Sequence, residues 1–94
     1  MPVTLLLPEA LAQDAGGKRT VVIEVKQGSS LGDLLRQVRH RHPALVRRIC
    51  DETGEIRRFV NVYVGDAESR TLHGLQTPVP VDATILVVGS VAGG

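Results

Sequence analysis

The final residues of this chain read "VGSVAGG", with Gly93 and Gly94 following closely on a run patterned like a core strand. Glycine loses the most backbone entropy on ordering and has no side chain to bury. A pair of them therefore makes a thin lead to one group, the carboxylate of Gly94. A carboxylate is a poor electrophile until it becomes an acyl phosphate, which supplies a leaving group. Ala92, Gly93 and Gly94 suit a narrow channel that bulkier side chains would block. With Val91 they give the reach needed to thread a carboxylate into another protein's cleft. The residues alone leave two readings open, an inert terminus or a presented carboxylate.

The other candidates fall away. His40 and His42 lie two apart, a poor spacing for a shared ligand on a helix. His73 is distant, with no carboxylate cluster near it, so solvated histidines are expected and no metal site. Cys50, beside Asp51, has no histidine placed to activate it and reads as a half-buried structural cysteine. Being the only cysteine, it also excludes an internal disulfide and a thiolate-only zinc or iron–sulfur site within one chain. Arg39, Arg41, Arg47, Arg48, Arg57 and Arg58 make the middle of the chain basic. Nucleic-acid binders add exposed aromatics or glycines interleaved with such charge. Here a solvated face or an acidic protein partner fits better. Gly16–Gly17 lacks the Lys and Ser/Thr of a phosphate loop. No triad, carboxylate pair or cofactor signature remains.

The elements that must position the tail come from a chain of 94 residues, a single-domain size with room for one core. Phe59 and Tyr63 are its only aromatics, so that core is aliphatic. A net charge of +1 gives no global pull toward nucleic acid or acidic membranes. Met1-Pro2 opens no signal peptide, and the apolar runs are too short to span a bilayer. A cytoplasmic location is the expectation.

"PVTLLLP" alternates Val3, Leu5 and Leu7 with Thr4 and Leu6, the pattern of a half-buried strand. "QDAGGKR" reads as a loose turn, and "TVVIEVK" as a second, antiparallel strand with Val21, Ile23 and Val25 on one face. "SSLGDLLRQVRHRHP" predicts the main helix, near Leu31–His42, with Ser30 and Asp33 as a capping box. Leu31, Leu34, Leu35 and Val38 form its buried stripe, and Pro43 ends it. "ALVRRIC" predicts one more helical turn burying Leu45 and Ile49. "RFVNVYV" alternates Val60, Val62 and Val64 against Phe59, Asn61 and Tyr63. A short strand is expected near Glu68–Arg70 and the last one near Thr84–Val88, with Ile85 and Val87 toward the helix. The order gives an α+β domain over residues 1–89 and an extended, flexible tail over 90–94.

At this point the chain resembles the ThiS/MoaD-type sulfur carriers, ubiquitin-like β-grasp proteins in which a mixed sheet packs on one main helix. The likeness is carried by "RFVNVYV", "GD", "LHGLQTPVPVDATILVV" and "VAGG", and is nearest to the CysO-type carriers. The resemblance implies a protein co-substrate rather than an enzyme. An E1-like adenylating and sulfurtransferase enzyme would use ATP to activate the Gly94 carboxylate, and sulfur would then displace AMP to leave a thiocarboxylate. A synthase would consume it for cysteine, thiamine thiazole, molybdopterin or a sulfur-containing natural product such as a thiosugar. No bound cofactor, nucleic acid or membrane is implied.

Family members dock through a sheet surface, and strand alternation makes Leu6, Phe59, Tyr63, Leu86 and Val88 the candidates for such an apolar patch. The alternatives are that loops cover these residues, that Gly94 is conjugated to lysines as in ubiquitin-like modifiers, or that the domain is an interaction module with an inert tail.

Overall fold

Period-two alternation writes most of the sheet. In β1 (Pro2–Leu6) the side chains of Val3 and Leu5 go into the core, and Thr4 and Leu6 point the other way. β2 (Thr20–Glu24) pairs with it antiparallel, Ile23 opposite Val3 and Val21 opposite Leu5. Buried Val25 extends that stripe just past the strand. The structure is a computed structural model that describes residues 1–89. The expected tail over 90–94, with Val91, Ala92, Gly93 and Gly94, lies outside the described residues.

The β1–β2 link is more ordered than the loose turn expected of it. It holds a short helix, α1 (Glu9–Ala12), and a 3-10 turn over Gln13–Ala15. Leu11, Ala12 and Ala15 are buried there, so the link helps to close the core. Gly16 ends the segment at φ 70, in the left-handed region that favours glycine.

The main helix, α2 (Leu31–Arg41), starts and stops as the sequence predicts. Ser30 Oγ accepts the Asp33 N–H at 3.1 Å while the Ser30 N–H donates to Asp33 Oδ2 at 3.0 Å. Two otherwise orphaned amides are thereby satisfied. Leu31, Leu34, Leu35 and Val38 are all buried. One glycine is tolerated inside the helix because a Cβ at Gly32 would sit 3.2 Å from the Leu75 carbonyl oxygen. After His42 a third helix, α3 (Pro43–Ile49), begins with proline in its first turn, where the missing N–H costs nothing. It runs for seven residues rather than one turn, and buries Val46 along with Leu45 and Ile49.

β3 (Val60–Val64), β4 (Ala67–Glu68) and β5 (Thr84–Gly89) complete the sheet. The short strand sits earlier than Glu68–Arg70. A Glu68 carboxylate oxygen accepts the Arg70 N–H at 3.2 Å and turns the chain into a 3-10 segment, Ser69–Thr71. The connection to β5 carries another such turn, Gly74–Gln76. It then closes a tight turn in which Ala83 N–H donates to the Pro80 carbonyl at 3.1 Å. Asp82, inside that turn, is among the described residues the one non-glycine at positive φ, 59°.

Strand order is β2-β1-β5-β3-β4. The last strand is thus the middle of the sheet, parallel to β1 and antiparallel to β3. One aliphatic core joins the inner sheet face (Val3, Leu5, Ile23, Val62, Ile85, Val87) to α2 and α3. This is the expected β-grasp arrangement, with the helical layer on one side of a mixed sheet.

Candidate functional site: the outer face of the sheet

The helices cover one face only, and β5 shows what is left on the other. Ile85 and Val87 are buried; Leu86 and Val88 are 39% and 37% exposed. Register decides who their neighbours are. Leu6 of β1 lies beside Leu86, Leu86 beside Tyr63 of β3, and Tyr63 beside Glu68 of β4, one row across four strands. Val88 stands one step further along β5, next to Asn61. The expected residues Leu6, Tyr63, Leu86 and Val88 are therefore brought together on one face. Loops do not cover it, since Leu6 and Tyr63 keep partial exposure and Leu86 and Val88 are open.

Phe59 needs a correction of placement. β3 begins at Val60, not at Arg58, because Val60 N–H donates to the Arg57 carbonyl at 2.9 Å and folds Arg58 and Phe59 into a turn. The ring is 49% exposed, with the Arg58 guanidinium 5.9 Å from its centroid. This turn enters β3 at the end where Val60 pairs with Gly89. Phe59 thus sits near the point where β5 runs out.

One outer-face residue escaped the sequence reasoning. Val22, 54% exposed, lies opposite Thr4, which in turn neighbours Thr84. The signal was present, because placing Val21, Ile23 and Val25 inward forces Val22 outward. On the far side Arg70 fixes the polar border. It donates to Asn61 Oδ1 at 3.1 Å and to the Arg57 carbonyl at 2.7 Å.

The patch contains no nucleophile, acid or base placed for chemistry, and what it can do is bind. Fully burying one such aliphatic or aromatic side chain contributes about 1.5–3 kcal/mol. β5 also loses its β1 partner after Leu86, so Val87 to Gly89 are held on the β3 side alone. The described part of β5 ends at Gly89, a short way past the apolar row.

The remaining candidates settle as follows. Cys50 is buried at the end of α3, and its burial pushes the thiol above its ordinary value, with Arg39 pulling it partly back. That favours a protonated thiol, the reverse of an activated nucleophile. His40 and His73 are exposed and His42 half-buried. Among the described residues no group of His, Cys, Asp or Glu could hold a metal, and no helix is long and apolar enough to cross a membrane.

Comparison with known proteins decides the family. The sulfur carrier protein CysO of Mycobacterium tuberculosis is 30% identical over 96 residues, covering 100% of both chains. The chain belongs to the CysO sulfur carrier family. No family model matches it. Among solved structures, a chain of the Amycolatopsis orientalis BexX/CysO complex superposes with a TM-score of 0.84 at 34% identity, covering 98% of this chain and 99% of that one. The small archaeal modifier SAMP1 from Haloferax volcanii gives 0.83 at 26%, with 100% of each chain covered. The fold is therefore the ubiquitin-like β-grasp. As a CysO-type carrier the chain is a substrate of other enzymes rather than a catalyst.

Proposed function

We propose that the chain carries sulfur as a thiocarboxylate on Gly94, made by an E1-like adenylating and sulfurtransferase enzyme and spent by a synthase. The Gly94 carboxylate attacks the α-phosphorus of ATP and expels pyrophosphate, leaving an acyl adenylate. A sulfur nucleophile then adds to the acyl carbon and AMP departs, so one sulfur replaces one oxygen. The resulting thioacid stays ionised near neutral pH and is a softer nucleophile than the carboxylate. ATP belongs to the activating enzyme, and the carrier holds no cofactor of its own.

The observation that carries this reading is the course of β5. It runs down the middle of the sheet past the uncovered row of Leu6, Leu86 and Tyr63, with Val88 and Phe59 near its end at Gly89. An activating enzyme that buries this face gains its binding energy far from the reacting atoms and spends it on positioning the tail. Val91, Ala92 and Gly93 would then thread the channel to the adenylating site. Which acceptor is served, whether a cysteine precursor, thiamine thiazole, molybdopterin or a thiosugar, is a property of the synthase, since the donor group is the same for all.

The test is incubation with a cognate E1-like enzyme, ATP and a sulfur source, followed by intact-mass spectrometry. A mass gain corresponding to sulfur for oxygen at Gly94 is expected, and an unchanged mass with active enzyme overturns the reading. A second reading, conjugation of Gly94 to lysine amines, is favoured by the likeness to the Haloferax modifier. It would appear in the same experiment, with lysine-bearing proteins added, as a covalent adduct resistant to thiols.

A further inference from the structure

The helical layer carries a groove that sulfur carriage does not use. Two clefts, of about 360 and 270 Å³, share Arg39, Val46, Cys50 and Glu52 and so adjoin along α3. Val46 and Cys50 are buried and form an apolar floor. Arginines make the rim: Arg36 and Arg39 come from α2, Arg47 from α3 and Arg57 from the loop that follows.

The charges in this groove do not cancel. Arg36 is taken by Asp33 on its own helix. Asp51 is committed to its own turn, where Oδ1 accepts from the Thr53 hydroxyl at 2.6 Å, the Thr53 N–H at 2.9 Å and the Glu55 N–H at 3.2 Å. Arg57 spends Nε on the Arg47 carbonyl at 2.9 Å, which leaves its two terminal nitrogens for another acceptor. Among the described residues Arg39, Arg47 and Arg57 form no ion pair. Three guanidinium groups, Arg39, Arg47 and Arg57, therefore stand against the two lining carboxylates Asp51 and Glu52, an excess of one positive charge (three minus two).

A guanidinium presents a fixed fork of donors that matches a carboxylate two bonds at a time. Adjoining half-open clefts over an apolar floor fit an extended chain better than one compact molecule. We propose that this groove docks an acidic, extended segment of a partner protein, its carboxylates on Arg39, Arg47 and Arg57 and an apolar side chain over Val46 and Cys50. The groove belongs to the helical layer and the Leu6–Leu86–Tyr63 row to the opposite face of the sheet. Occupying one leaves the other open, so the carrier can be tethered by one protein while a second works on its tail. This does not depend on the chemistry at Gly94.

Three probes test it by amide NMR titration: a short synthetic peptide alternating Glu with Leu, the same peptide with Gln for Glu, and sodium pyrophosphate. The Glu peptide should shift the amides of Arg39, Arg47 and Cys50–Arg57, leave Leu86 and Val88 unmoved, and weaken as salt is raised. The double variant R39A/R47A, both positions being exposed, should bind it roughly tenfold or more weakly with an unchanged melting temperature. Equal shifts with the Gln peptide, shifts spread equally over Arg19, Arg58 and Arg70, or no shifts at millimolar peptide overturn the proposal. Pyrophosphate acting at the same amides and at lower concentration than the peptide also overturns it, by making the groove a site for free anions.

Discussion

The two faces of the sheet are made of the same kind of residue and end in different circumstances. Val87 and Val88 are chemically identical neighbours on β5, yet Val87 is packed under the helices while Val88 looks into solvent. Leu5 and Leu6 divide in the same way on β1. On the inner face each side chain is already buried, so its contribution is to the stability of the fold. On the outer face the equivalent contribution is not realised in the fold itself, and under the proposed function it is available to a docking partner. An apolar surface kept open in this way is a store of binding energy, and it lies beside the strand that leads to the tail.

The contrast is tested most sharply by putting a carboxylate on each side of it. Val87→Asp buries an unpaired charge in a domain whose whole stability is of the order of 5–15 kcal/mol, and it should fail to fold by circular dichroism. Val88→Asp should stay folded, within about 0.5 kcal/mol of the parent in denaturant melts, while its loading by the activating enzyme slows. A folded Val88→Asp carrier with unchanged loading kinetics would remove that residue from the docking face.

Deletion of Gly93 and Gly94 separates the faces from the tail. Loading should vanish because Ala92 would stop about 7 Å short of the adenylating site. The melting temperature should hold, since neither glycine has a side chain to pack. Continued thiocarboxylate formation by the truncated chain would show that the pair is not the acceptor.

Smaller effects probe what holds the inner layer in place. Ser30→Ala removes the acceptor for the Asp33 N–H and should cost about 1 kcal/mol in urea melts. The Asp33 carboxyl lies below its ordinary value, chiefly through the Ser30 N–H and then the Ser30 hydroxyl. A depressed value means stability that is present above the unfolded-state pKa, near 3.9, and lost as pH falls through the folded one. Asp33→Asn should therefore be less stable than the parent at neutral pH, the gap closing in acid. A gap that stays constant down to acid pH would contradict this origin. Asp82→Gly is the mildest change, relieving a positive φ in the turn before β5. It should be neutral or stabilising by up to about 1 kcal/mol, and a clear loss of stability would mean that the Asp82 side chain supports the turn.

What was legible in the sequence was whatever repeats with a short period. Leu31, Leu34, Leu35 and Val38 mark α2, Ser30 and Asp33 mark its start, alternating valines mark β3, and the apolar run Ile85–Val88 marks β5. These signals are local, and local physics sets them. α1 was not legible because Glu9–Ala12 is one turn long, too short for a period, and is held by the burial of Leu11 and Ala12. Phe59 read as part of a strand because alternation continues through it; the Arg57–Val60 turn bond that ends the strand leaves no mark in residue type. Composition said that the arginines were many. Only packing said which of them pair with an acid and which line the groove along α3.

The pairing of Thr4 with Thr84, near opposite ends of the described chain, bears on how the molecule is made. Taken without β5, the β1–β2 pair and the β3–β4 pair have no strand to join them. Such long-range seams form late, because the loop must close before any contact rewards it. The five-stranded sheet is therefore complete only once β5 is free to pair with both hairpins. Without β5 the strand that joins Leu6 to Tyr63 is missing, and the outer apolar row is not assembled.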